Sequence, residues 1–313
     1  MNEGILGTVR LISVAIQNIG FAVVVGALLS RQWLARGESI WQERIGRRLI
    51  HAIRAASVLS LLASALAFWA HCALMSDSAL LDAGPAVRSM IEATAFGRAW
   101  SIGALLTLAV AVIAFRCPSG ERRIGFGVWI ALAGAALARS NSGHSVDTGI
   151  FALPAWLDWL HLLAISAWVG LVWVTAYVVM PRLHDAPGDE GRRAASFVQS
   201  LSDTSTYALI VLFVTGAYNG LRGVGTPANL WSSAYGEILL IKLALVFVAA
   251  ALGGHNRFFE MPKLLATLRA SSAADALRPL RRFGAVLHVE SVILLGVVIA
   301  AAVLASSPLP GTT

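Results

Sequence analysis

Residues 284–306 read GAVLHVESVILLGVVIAAAVLAS, and only His288 and Glu290 interrupt the stretch with ionisable side chains. A helix of that length rises roughly 34 Å, enough to cross a hydrocarbon core about 30 Å thick. The same texture recurs along the chain. Of 313 residues, 57% are hydrophobic and 13% charged, and mean hydropathy is +0.73. Soluble domains average about 45–50% apolar and about 25% charged residues. A water-soluble enzyme, a coiled coil, a collagen and a disordered chain are therefore excluded.

Apolar runs lie near 8–30, 55–76, 99–116, 124–139, 155–180, 207–222, 236–254 and 284–306, the fourth and sixth being short. They predict an all-α, polytopic membrane helical bundle of about eight transmembrane helices. The chain reads as a single integral membrane domain, 1–313, with the lipid bilayer as its surroundings. An N-terminal four-helix half at 1–139 and a C-terminal four-helix half at 140–313 are expected. The formal net charge is +7, but the basic residues cluster between apolar runs. That is the pattern of membrane orientation, so no nucleic acid is expected as a partner. Arg31, Arg36, Arg44, Arg47, Arg48 and Arg54 follow the first run, and a second dense group from Arg257 to Arg282 follows the seventh. With the smaller groups after runs three and five, 18 basic residues fall on one side and five on the other. Both termini are therefore expected outside the cytoplasm. The first run has Glu3 and only Arg10 ahead of its apolar core, so it reads as a first span and not as a cleaved signal.

Gly216 and Gly220 form a GxxxG step, and Gly134 with Ala138 a small-xxx-small step, both suited to close helix packing. Cys72 and Cys117 are expected at opposite membrane faces, beyond disulfide reach. No Walker A, HExxH, GxSxG or CxxC motif occurs in a usable context. No nucleotide is expected, and no enzymatic activity.

Ionisable groups inside spans are costly and mark function by default. Near the outer ends stand His71, Cys72 and Met75 of span two, His144 after span four, and Asp158 and His161 of span five. Imidazole, thiolate and thioether at one depth are ligands that suit a copper ion better than a hard cation. Asp158, three residues before His161, shares its helical face and could orient the imidazole. Lys242 would snorkel outward or pair with Glu237 or Asp158. At the inner side come His255, Asn256, Arg257, His288 and Glu290, either as a Glu290–Arg257 charge pair or as an exit for a cation. The alternative is haem b held between His71 and His161 in an electron-transfer protein.

Several short motifs resemble the copper resistance protein D family. They are Gly143-His144, Trp159-Leu160-His161-Leu162-Leu163, Trp168-Val169-Gly170, Lys242-Leu243-Ala244-Leu245, Asn256-Arg257, His288-Val289-Glu290 and Ser306-Ser307-Pro308. The resemblance covers about 140–308. It implies a bacterial inner-membrane protein linked to copper resistance and uptake. The expected function is copper transport or handling across that membrane, from periplasm towards cytoplasm. By position it transfers to His144, His161, Lys242, Asn256, Arg257 and Glu290. The chain has five methionines and no methionine-rich loop, which leaves open delivery of the metal by a periplasmic copper-binding protein.

The topology is tested by labelling single cysteines, Glu3→Cys and Thr312→Cys, in a chain freed of Cys72 and Cys117. A membrane-impermeant reagent should reach both sites in intact cells. Labelling of either only after the cells are opened contradicts the expected orientation.

Overall fold

A computed structural model describes residues 2–34, 39–118, 125–141, 152–183, 190–270, 273–308 and 310. The described residues are almost entirely helical and contain no strand. The helices are α1 (Asn2–Leu34), α2 (Ile40–Met75), α3 (Gly84–Ala93), α4 (Ala95–Arg116), α5 (Gly127–Ser140), α6 (Leu153–Leu183), α7 (Gly191–Val224), α8 (Ala234–Arg269) and α9 (Ala273–Ser306). Seven of them are long and apolar enough to cross a membrane. The expected fourth span, α5, has 14 residues and rises only about 21 Å. The expected sixth span belongs to a helix of 34 residues, because helical structure continues through its polar stretch at 191–206.

Helix starts are written in the sequence. Ser39, Thr94 and Ser233 each accept a hydrogen bond from the backbone N–H three residues on, at Gln42, Gly97 and Gly236. Pro154 opens α6, where its missing N–H costs nothing. Two helices share a second device. The sequences Met180-Pro181-Arg182-Leu183 in α6 and Met261-Pro262-Lys263-Leu264 in α8 each follow a π-helical turn, at Thr175–Val179 and Asn256–Glu260. Proline has no N–H and crowds the carbonyl four residues back. The helix widens just before it, and Met180 N–H bonds to Thr175 O while Met261 N–H bonds to Asn256 O.

Lipid is as apolar as leucine, so helices in a bilayer associate through close packing and not through hydrophobicity. The closest approach joins α1 to α6. A Cβ on Gly26 would collide with the backbone of Gly170, and one on Gly170 with the carbonyl of Ala22. Gly20 meets Ser60 of α2, and Gly134 of α5 packs on Leu106 of α4 while Ala138 faces Gly103. The last four long helices close on one another as a ring. Helix α6 packs on α7 and on α9, and α8 packs along α9. Phe213 of α7 and Phe247 of α8, with ring centroids 5.5 Å apart, complete the circuit. Trp41 Nε1 donates to Arg182 O at 2.8 Å and Arg193 Nη1 to Gln42 Oε1 at 2.9 Å, pinning α2 to α6 and α7.

The α1–α6 crossing gives a stability prediction. Gly170→Leu should lower the thermal midpoint of the detergent-solubilised protein strongly, since overpacking costs about 1–3 kcal/mol even where side chains can yield and here backbone opposes it. Gly7→Ala, with no atom within 4 Å of its added carbon, should leave the midpoint nearly unchanged. Equal effects of the two contradict the crossing.

Candidate functional site

One face of α6 carries Asp158, His161, Ile165, Trp168, Val172 and Thr175, a run of three- and four-residue steps directed into the ring. The N-terminal end of this stripe is polar. Asn219 Nδ2 of α7 donates to Asp158 Oδ1 at 3.3 Å. Arg139 at the end of α5, Lys242 of α8 and Arg222 of α7 are close enough for their charges to act on the Asp158 carboxylate, and Lys242 acts on His161 as well. Arg139 in turn donates to Asn18 Oδ1 of α1 and covers the ring of Phe21. Of the two partners expected for Lys242, Asp158 is the one within its electrostatic reach.

The ring of His161 meets a hydroxyl. Its Nδ1 lies 2.9 Å from Thr215 Oγ1, and that hydroxyl lies 2.7 Å from Val211 O. When the hydroxyl gives its proton to Val211 O it accepts from the imidazole, which puts the imidazole proton on Nδ1 and leaves Nε2 with a lone pair. Nε2 has no hydrogen-bond partner among the described residues. Gly216 makes this possible: a Cβ there would stand 3.3 Å from His161 Cε1. The GxxxG step thus accommodates an imidazole with Gly216 and packs on Leu239 with Gly220.

Seven residues deeper along α6, about 10 Å by helical rise, Trp168 Nε1 donates to Glu290 Oε1 at 3.1 Å. Glu290 is 2% exposed. Gly253 of α8 lies against the carboxylate, where any side chain would crowd it at 3.2 Å. The expected Glu290–Arg257 pair does not form. Arg257 points to α7, with Nη2 2.9 Å from Asp203 Oδ1 and Nη1 2.7 Å from Ser202 Oγ. The two residues share a side of the membrane but face different helices. Asn256 donates to Phe283 O of α9 at 3.3 Å. His288, two residues before Glu290 on α9, turns another way, with its Nδ1 2.6 Å from Gly284 O and its ring against Tyr177. His255 stacks on Phe259 and lies 3.9 Å from Glu260 Oε1.

The N-terminal candidates have contacts of their own. The His71 ring rests on Phe96 of α4, with centroids 5.0 Å apart, and feels the charge of Arg10 of α1. His161 rests on α7, so the contacts of the two imidazoles involve different helices. Cys72 is fully buried and Met75 is 68% exposed, so these neighbours in sequence face opposite surroundings. His144 and His184 lie outside the described residues. No group of three or more His, Cys, Asp or Glu among the described residues is placed to hold a metal. Sequence reading missed Thr215, Asn219 and Trp168 as partners of the charged groups. The signal available for the first two was their four-residue spacing beside Gly216 and Gly220 in a single span.

Comparison with known proteins covers both parts of this architecture. Residues 1–153 match the model of the copper resistance protein D-like N-terminal domain, and residues 195–304 match that of copper resistance protein D. Copper resistance protein D of Pseudomonas syringae pv. tomato is 30% identical over 242 residues, 72% of this chain and 74% of that protein. The inner membrane protein YebZ of Escherichia coli is 24% identical over 77% of this chain and 81% of its own length. The copper transport protein CutJ of Bacillus subtilis is 28% identical over 53% of this chain, which spans only 31% of that longer protein. No solved structure matches the chain. A multi-pass helical bundle matched by the two models in succession, and by such a relative over most of both lengths, belongs to the copper resistance protein D family.

Proposed function

We propose that the chain transports copper across the bacterial inner membrane, from the periplasmic side towards the cytoplasm, and that the ring of α6, α7, α8 and α9 is the route. The observation that carries this reading is His161. With the Thr215 proton on Val211 O, its Nδ1–H is held by Thr215 and its Nε2 lone pair is left available, the arrangement in which a histidine serves as a metal ligand. An imidazole suits copper, and a single protein ligand at this depth suits an ion that must leave again. The printed names of the P. syringae and B. subtilis relatives, one for copper resistance and one for copper transport, support the choice of metal. The name of the E. coli relative supports the inner membrane.

Glu290 is the next station inward. A buried carboxylate with one neutral donor is an expensive feature of a bilayer interior and an attractive one for a passing cation. Its position on the stripe begun by Asp158 and His161, through Trp168, supports a role in conduction instead of capture. The direction of movement rests on the outer position of His161 in the positive-inside orientation.

The roles separate in three variants. His161→Ala should abolish the tightest copper(I) binding to purified protein. Thr215→Val, which removes only the partner of Nδ1, should weaken binding about 10–100-fold, the usual cost of losing a residue that orients a ligand. Glu290→Gln should bind copper as the native chain does but accumulate less of it in the cytoplasm. Binding lost as fully in Glu290→Gln as in His161→Ala overturns the two-station route, and normal binding and accumulation in all three overturn copper transport through this ring.

A further inference from the structure

The inner third of the ring contains buried oxygens that nothing in the described protein satisfies. Thr175 Oγ1 on α6, Ser205 Oγ on α7, and Asn256 Oδ1 and Glu260 Oε2 on α8 are each buried and have no hydrogen-bond partner among the described residues. Thr175, Asn256 and Glu260 are 0%, 4% and 7% exposed as whole residues. Glu260 Oε1 has only long contacts, 3.7 Å to Lys263 and 3.9 Å to His255.

Along their helices these oxygens lie on the inner side of Glu290. Thr175 lies seven residues beyond Trp168 of α6, whose ring meets Glu290, and Asn256 and Glu260 lie three and seven residues beyond Gly253 of α8, which meets the same carboxylate. Seven residues correspond to about 10 Å along a helix. Ser205 belongs to the turn of α7 that Arg257 grips through Ser202 and Thr206, which sets it level with Asn256. Thr175 and Asn256 each open a π-helical turn, the two turns that precede Met180-Pro181 and Met261-Pro262. Such turns recur at functional sites because they re-aim side chains.

Three helices of the ring thus carry buried, unpaired oxygens on the inner side of Glu290. Leaving a buried hydroxyl or amide oxygen without a partner is costly, so four together require something that can pair with all of them. Water does so, in a polar space with several partners per molecule. We propose that the ring of α6, α7, α8 and α9 encloses an aqueous inlet open to the cytoplasm, lined by these oxygens, whose floor is Glu290 and beside which the Arg257–Asp203 pair ties α8 to α7. The inlet admits water and small hydrophilic cations to the Glu290 carboxylate from the inner side only. The Trp168–Glu290–Gly253 contact separates it from the polar group around His161. The inference does not depend on which cargo the outer group takes.

Accessibility of single cysteines tests it, without copper, in inside-out and right-side-out vesicles of a chain freed of Cys72 and Cys117. Ser205→Cys and Thr175→Cys change little volume, and Asn256→Cys samples the third wall. A charged, membrane-impermeant thiol reagent should modify all three from the cytoplasmic face. It should do so about tenfold faster than Phe258→Cys, 70% exposed towards lipid two residues from Asn256, because only a thiol that water can ionise reacts well. Retention of each variant as a monodisperse peak confirms that it folds, and Ser205→Cys with Thr175→Cys suffice if Asn256→Cys does not. No modification, modification only from the opposite face, or equal rates at Phe258→Cys would each overturn the inlet. Any of these outcomes leaves the copper reading to be judged on binding and accumulation alone.

Discussion

Every charged or hydrogen-bonding side chain in this protein that enters the hydrocarbon must find its partner inside the bundle, because lipid offers none. That constraint organises the C-terminal ring. Asp158 is met by Asn219 and by surrounding cations, His161 by Thr215, and Glu290 by Trp168. Each pair joins two different helices, so satisfying the polar groups also fixes how α6 sits against α7 and α9. Glycine fills the opposite role. Gly216 and Gly253 stand where a side chain would crowd the imidazole or the carboxylate. Polar pairing and close packing therefore specify the same helix arrangement.

Much of the fold is legible in the amino-acid sequence, for a physical reason. The lengths of the apolar runs are set by bilayer thickness, and their centres coincide with helices. Their ends do not, because the polar extensions of α2 and α7 are helical without being apolar, and α5 is apolar without being long. The π-helical turns follow from Met180-Pro181 and Met261-Pro262, yet no hydropathy pattern reports them. For the site, ionisable residues inside spans stand out, and His161, Asp158, Lys242 and Glu290 do gather in the C-terminal ring. Pairings are less legible. Arg257 and Glu290 are both expected towards the inner side, but only the helix rotations reveal that one faces Asp203 and the other Trp168. Neutral partners such as Thr215 give only a faint signal, the spacing beside Gly216 and Gly220, since threonine in a span ordinarily bonds back to its own helix, as this one also does.

That second bond of Thr215 has chemical consequences. When its proton goes to Val211 O it becomes an acceptor, and the imidazole proton then sits on Nδ1 with the Nε2 lone pair open. In that arrangement a hydroxyl bonded back to its own helix sets the ligand state of a histidine on the neighbouring helix. In the proposed route, depth then divides the labour along α6: capture where the chain meets the periplasmic side, a carboxylate near the middle, and unpaired oxygens towards the cytoplasm. The ring combines a softer nitrogen ligand outside with hard oxygen donors inside, an ordering that favours release of copper over its retention.

The proposed route begins with copper bound to the Nε2 atom of His161. X-ray absorption at the copper edge of purified protein equilibrated with copper(I), taken with its optical spectrum, reads that bond. Imidazole scattering from bound copper should be present in the native chain and disappear in His161→Ala, and the optical spectrum should lack a Soret band. A Soret band in protein that holds no copper, or copper whose ligand scattering is unchanged in His161→Ala, would contradict it.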